Sequence, residues 1–333
     1  MSRLTWTTLA VLGWPFVGLV GFAVAEVLPE DHIWAQATAA LLWSLPPWLG
    51  LIWPVWTAVV ARLLKSERPW MLVSLVGLVA TGVPVQCVPA ASTPTVEDAV
   101  SVAVFNVNAY SPHPSPEPLF ATVDAFALDL LVILERRFDD IPGYTRVADD
   151  FPGQWPRPSH HSAVYARDGL AVDARITEQV GSDIQAMPIA IAWLPTVQAC
   201  VLAIHAPPQV PKNATGMGPY VAWLTERVAD GRVVHDLAPC PTGSAVVMAG
   251  DFNHVPASHP MRRLRATGLD DVLMGTGLAS LTWPSGGGWL DFPVFRLDHV
   301  LAGPVQITHL EKTRIPGSDH QGWVFRVGAQ PAR

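Results

Sequence analysis

Long apolar stretches fill the start of the chain, and short alternating ones fill the rest. Leu4 to Val27, Ile33 to about Leu64 and Trp70 to about Val88 are each long enough for a helix to cross a bilayer about 30 Å thick, which takes about 20 residues. The second holds Leu45-Pro46-Pro47-Trp48 and Trp53-Pro54, which predicts a kinked or tilted helix. Ala23-Val24-Ala25 offers a small-residue cleavage site, but the apolar run before it is long for a removable signal, so three retained spans are expected. Residues 89–97 then form a short polar linker, and the pattern changes to that of a folded domain over 98–333.

Within that domain the periodicity predicts a strand at Ala99 to Phe105, a helix at Leu119 to Phe126, and a strand from Ala127 that exits at Glu135. A strand from His160 to Arg167 and a hairpin of Ile189 to Leu194 with Gln198 to Ile204 follow. Helical patterns cover Tyr220 to Val234 and His259 to Thr267, with a buried strand at Val246 to Ala249 between them. The last segments, Arg296 to Leu301 and Ser318 to Phe325, each contain an apolar strand. Alternating helices and strands without a repeat period point to a layered α/β or α+β sandwich.

Composition sharpens this division. The chain is 50% hydrophobic and 15% charged, too apolar for an ordinary soluble enzyme and too polar for an all-membrane protein. Four basic residues (Arg3, Arg62, Lys65, Arg68) and four acidic ones (Glu26, Glu30, Asp31, Glu67) lie within 1–88. Arg3 and the basic loop Arg62 to Arg68 belong inside and the acidic loop Glu26 to His32 outside, which places everything after Val88 on the outer side of the cytoplasmic membrane. Cys87, Cys200 and Cys240 show no metal-ligand spacing; Cys200 and Cys240 could pair in an exported domain.

The chemistry gathers at strand exits. Val246 to Ala249 runs into Gly250-Asp251-Phe252-Asn253, where a carboxylate and a carboxamide two residues apart point the same way. Asn106 and Asn108, Glu135, and His205 stand at three further exits, and Asp298-His299 and Asp319-His320 each set an Asp-His pair beside an apolar strand. Individually these read as turn residues, solvated charges or hydrogen-bonded structural histidines; it is their repeated placement that marks a site.

Taken in order, these motifs resemble the endonuclease/exonuclease/phosphatase superfamily over about residues 98–328, and with Thr282-Trp283-Pro284 and Arg296-Leu297-Asp298-His299 a bacterial membrane-anchored branch of it. The resemblance implies a four-layer α/β sandwich, two mostly antiparallel sheets flanked by helices, here preceded by an α-helical transmembrane segment. It implies one Mg²⁺ or Mn²⁺, with Glu135 as principal ligand and Asn106 and Asp298 in support. His205, Asn253 and Asn108 would bind the substrate phosphate, Asp251 would orient or activate water, and Asp319 would orient His320. Leu134 and Gln321 depart from the family's usual residues beside the metal-binding Glu and after the Asp-His pair.

The charge balance bears on the substrate. Of 21 Lys and Arg and 28 Asp and Glu, 17 and 23 lie from Asp98 onward, once the eight named above and Glu97 are set aside. No basic stripe of the kind a polyphosphate backbone needs is evident beyond Arg262, Arg263 and Arg265. The aromatics Trp283, Trp289, Phe292 and Phe295 around a triple glycine have the composition of a loop that enters a membrane interface, or of a cap on the core. The expected activity is hydrolysis of a lipid-linked or cell-envelope phosphate ester at the outer face of the membrane. A tethered extracellular nuclease and a non-catalytic phosphate-binding module are the alternatives.

Overall fold

Two sheets stacked face to face carry the domain, as seen in a computed structural model that describes residues 98–108, 117–149, 161–177, 187–207, 214–234, 236–256, 258–273, 280–283, 293 and 296–329. The first has six strands: β1 (Val100–Asn106), β2 (Leu130–Leu134), β3 (Tyr144–Asp149), β4 (Ser162–Arg167), β13 (Gln306–Arg314) and β14 (Gln321–Gly328). Their order is β13-β14-β1-β2-β4-β3, with β1 and β2 parallel and the other neighbours antiparallel.

The second sheet is ordered β11-β12-β10-β7-β6-β5. Its members are β5 (Asp173–Ile176), β6 (Ala190–Leu194), β7 (Ala199–His205), β10 (Ala245–Asp251), β11 (Asp270–Asp271) and β12 (Asp298–Ala302), with a small hairpin of β8 (Val228–Ala229) and β9 (Arg232–Val233) attached to β10. Here β7 and β10 are the parallel pair. Both sheets are therefore mixed, with mostly antiparallel neighbours.

Side-chain alternation explains the layering. Val102 and Val104 of β1, Val132 of β2 and Val164 of β4 meet Ala192, Val201, Ala203, Val247 and Ala249 of the opposite sheet in one buried cluster. The intervening residues of β1 and β2, Ala103, Phe105, Leu131 and Ile133, face outward and pack on Leu119 and Val123 of α1 (Glu117–Phe126). On the far side Cys200, Leu202, Ile204, Val246 and Met248 pack on Tyr220, Val221 and Leu224 of α2 (Ala214–Arg227) and on Met261 and Leu264 of α3 (His259–Arg265). Every residue of β1, β2 and β7 is buried because both faces are covered. The sequence of layers is helix, sheet, sheet, helix.

Cys200 of β7 is disulfide-bonded to Cys240, with Cα atoms 6.0 Å apart, which closes the loop between α2 and β10 onto the sheet.

Two sequence expectations change. The helix read over Tyr220 to Val234 ends at Arg227, and the chain turns at Asp230 and Gly231, both at positive φ, into the β8/β9 hairpin. Asp-Gly is itself a hairpin signal, and here it overrides the apolar spacing that continues beyond it. Strands β3, β5 and β13 were not anticipated; their residues are mostly half-exposed or exposed, which blurs the alternation. The three apolar stretches within 1–88 and most of the Trp283 to Phe295 segment lie outside the described residues. Among the described residues no helix is long and apolar enough to cross a membrane.

Candidate active site

Parallel pairing within each sheet brings the chemistry to one edge. β1 and β2 end side by side with Asn106 opposite Leu134, so Glu135 follows immediately. β7 and β10 end with His205 opposite Asp251, and the antiparallel β12 begins there with Asp298 opposite Asp251. Ligand sites in layered α/β folds form where such strand ends leave backbone and side chains without the next strand. Local backbone strain marks the same place: Glu135 and Asn253 lie at φ 66 and 50, in the left-handed region that non-glycine residues rarely enter. Gly250, at φ 127, sits where any Cβ would collide with the Ile204 carbonyl of β7, so the Gly of Gly-Asp-Phe-Asn is what lets β10 approach β7 there.

The side chains then join across the two sheets. Asn106 Nδ2 donates to Glu135 Oε1 and to Asp251 Oδ2, each at 3.0 Å. His205 Nε2 lies 3.3 Å from Glu135 Oε1 and 3.9 Å from Asp251 Oδ2. Asp251 also accepts from the Asn253 backbone N–H at 2.8 Å and from Asn253 Nδ2 at 3.3 Å, and Nδ2 donates to the Ala206 carbonyl at 2.8 Å. The Asn108 carbonyl accepts from Arg136 Nε at 3.3 Å.

His320 closes the cluster, with a partner different from the expected one. Its Nδ1 is 2.9 Å from Asp298 Oδ2 and its Nε2 is 3.6 Å from Asp251 Oδ2. The neighbouring Asp319 instead accepts from Trp283 Nε1 at 3.3 Å. The expectation that Asp319 orients His320 and Asp298 supports the metal is thus corrected for orientation: Asp298 holds the imidazole. Asp319 and His320 lie in the bend that precedes β14, and there the Asp319 carboxylate is turned to Trp283. Sequence reading also missed Ser318, whose hydroxyl donates to the Asn106 carbonyl at 2.6 Å and accepts from the His320 N–H at 3.0 Å. A serine two residues before a histidine is a local turn signal, and that was the available clue.

Burial and charge set the proton states. Burial pushes the Asp251 carboxyl up to about 6; His320 and His205 pull against this and Asp298 adds to it. For His320, burial alone would lower the imidazole, but the carboxylates of Asp298 and Asp251 outweigh it and hold it at about 10, an imidazolium at neutral pH.

A hard divalent cation fits this donor set. Asn106 Oδ1 is buried without a hydrogen-bond partner, since Nδ2 must face the two carboxylates. That orphaned oxygen beside Glu135 and Asp251 is the type of ligand Mg²⁺ and Mn²⁺ take. Single ligand atoms of Asp251, Asp298 and His320 also lie within 4.8 Å of one another. Of these, Nδ1 of His320 is engaged by Asp298 and a protonated imidazole is no ligand, so the oxygen side of the cluster is the better fit.

Comparison with known proteins gives the family and the fold. Residues 103–320 match the Endonuclease/Exonuclease/phosphatase family, and the chain belongs to it. No curated protein sequence matches the chain. Its fold is similar to that of the AP endonuclease LMAP from Leishmania major, at 13% identity and a TM-score of 0.56, covering 74% of this chain and 95% of that one. It is also similar to the human Nocturnin catalytic domain, solved with a sulfate anion, at 14% identity and a TM-score of 0.49, covering 71% and 96%. D. rerio TDP2 complexed with a single-strand DNA product matches at 13% identity and a TM-score of 0.49, covering 70% and 100%. The likeness to LMAP speaks to the fold alone.

Proposed function

We propose that the protein is a divalent-metal-dependent phosphoric ester hydrolase acting on a lipid-linked or cell-envelope phosphate at the outer face of the cytoplasmic membrane. The observation that carries the hydrolase reading is the single cluster in which Asp251 joins the Glu135–Asn106–His205 group to the Asp298–His320 pair.

Phosphoryl transfer asks for alignment and charge neutralisation. A cation held by Glu135 and Asn106, with Asp251 beside them, would supply Lewis-acid stabilisation of the phosphoryl oxygens. Asp251 orients the attacking water and accepts its proton, a task suited to a carboxylate held near 6. His205 and Asn253, both in reach of Asp251, bind the scissile phosphate. The His320 imidazolium, fixed by Asp298, faces the phosphoryl group and neutralises negative charge that builds there. As the bond from water to phosphorus forms, the bond to the leaving oxygen breaks, and the alkoxide takes its proton from solvent, Asp251 holding the one released by the attacking water.

Three features support the envelope substrate: the apolar stretches ahead of the domain, the acidic balance from Asp98 onward, and the Cys200–Cys240 bond, of a kind that persists in oxidising compartments.

The test is hydrolysis by the full-length protein of a chromogenic phosphodiester, a phosphomonoester, single-stranded DNA and extracted envelope lipids, with Mg²⁺ or EDTA, alongside Glu135→Ala. Metal-dependent turnover lost in Glu135→Ala, with lipid preferred, is the expected result. DNA cleaved while lipids stay intact would make it a tethered nuclease. Mg²⁺ bound through Glu135 with no turnover of anything would make it a binding module.

A further inference from the structure

Asp298 is the first residue of β12, and the neighbouring β11 stops short of it. The last contact on that side is Val272 N–H to the Val300 carbonyl, at 3.1 Å. Backbone groups two residues apart on a strand point to the same side, so the Asp298 N–H and carbonyl face a place that, among the described residues, no strand reaches. A buried, unpaired peptide group there would loosen the end of the strand.

Two side chains occupy that place. Thr282, fully buried at 0% exposure, accepts through Oγ1 from the N–H groups of both Leu297 and Asp298, each at 3.1 Å. Trp323 Nε1 donates to the Asp298 carbonyl at 3.1 Å. Both residues are also tied to the segment that carries His320. The Thr282 carbonyl accepts from Gln321 N–H at 3.0 Å, and Trp323 is three residues along from His320 on β14. Asp298 starts a strand of one sheet and His320 precedes a strand of the other, so each tie spans the gap that the 2.9 Å Asp298–His320 contact must bridge. Lys312 Nζ in turn holds the Leu281 carbonyl at 2.7 Å, which fixes the Thr282 segment to β13.

The structure assigns Thr282 as a positioning residue: its hydroxyl oxygen and its carbonyl together set the register between Asp298 and His320, with Trp323 as the second tie. Thr282 touches no reacting group and acts only through that pair. The inference rests on the reading of the pair as catalytic for its activity arm alone.

Thr282→Val keeps shape and removes the acceptor; Thr282→Ser keeps the acceptor. In the full-length protein with Mg²⁺ and a chromogenic phosphodiester, Thr282→Val is expected to lower kcat about 10- to 100-fold with KM within about twofold, the usual size of an orienting contact, and Thr282→Ser to stay within about threefold of wild type. A second readout is the imidazole ¹H–¹⁵N spectrum of ¹⁵N-histidine-labelled protein. A downfield Nδ1–H resonance that disappears in His320→Ala identifies the Asp298–His320 bond. It should move upfield or broaden in Thr282→Val and persist in Thr282→Ser. A folded Thr282→Val protein that keeps both the resonance and kcat overturns the assignment, as does Thr282→Ser behaving like Thr282→Val. If wild type turns over nothing, the hydrolase reading fails and the resonance alone decides on Thr282.

Discussion

The chain contains two Asp-His dipeptides, Asp298-His299 and Asp319-His320, alike in sequence and opposite in use. In the first, Asp298 faces the site and His299 turns into the core, fully buried, with Nε2 2.7 Å from the His254 carbonyl and its ring edge-on to Phe252 at 5.5 Å. In the second, His320 faces the site and Asp319 turns away to Trp283. The working pair takes one member from each dipeptide and one from each sheet. Two further contacts, Asn106 with Asp251 and Glu135 with His205, also run between the sheets. Contacts that cross between the sheets depend on the core between them for their geometry; along β12 alternation sends Asp298 and His299 to opposite faces, whereas Asp319 and His320 diverge in the bend before β14.

The comparison is broken most severely by exchanging the fates of the two histidines. His320→Ala should cut metal-dependent turnover of a chromogenic diester by about 10²- to 10⁴-fold, the range for a positioned proton-bearing group. His299→Ala should leave the turnover of the protein that remains folded within a few-fold of wild type. It should instead cost about 3 kcal/mol of stability through the cavity it leaves, read by urea unfolding. Equal losses of activity from both substitutions would mean that the dipeptides are not specialised.

The carboxylates give the next effect in size. Asp298→Asn keeps an oxygen within reach of His320 Nδ1 but removes the charge that stabilises the imidazolium, and about a hundredfold loss in kcat is expected. Asp319→Asn can still accept from Trp283 Nε1, and a change below about threefold is expected from the same assay. The reverse order would restore Asp319 as the partner of His320.

Much of this site was legible before the fold was. Asn106, Glu135, His205 and Asp251 each end an apolar run, and the alternation that buries β1, β2, β7 and β10 also fixes where their polar residues emerge. The layering followed from the same runs. What could not be read was the pairing of Asp298 with His320, 22 residues apart and on different sheets, because both dipeptides look the same locally. Thr282 was invisible as a structural element for a related reason: a buried threonine carries no signal of which backbone it will cap. The β8/β9 hairpin was a different failure, since Asp230-Gly231 announced the turn and the apolar spacing was allowed to outvote it.

The smallest effect separates the buried histidines by pH. Burial pushes His254 down to about 4 and drives His299 well below its ordinary value, with Arg296 adding to the latter, so both are neutral in the folded protein. Each donates to a backbone carbonyl of the loop after Asp251, His254 Nδ1 to Phe252 at 2.7 Å and His299 Nε2 to His254. Below about 6.5 the unfolded chain binds these protons and the folded chain does not, so stability falls as pH falls, by up to about 1.4 kcal/mol per pH unit for each histidine. Asp251, held near 6, binds its proton more tightly in the folded chain and opposes this slope between about 3.8 and 6. His320 has the opposite sign to the core histidines: its stabilisation is complete below about 6.5 and is lost as pH rises through about 10. Urea unfolding of His299→Phe, which keeps a ring beside Phe252 and removes one titrating group, should therefore show an acid slope between pH 5 and 6.5 shallower than wild type by about 1 kcal/mol per unit. An unchanged acid slope would mean that His299 carries its proton in the folded protein, and the contrast with His320 would lose its electrostatic half.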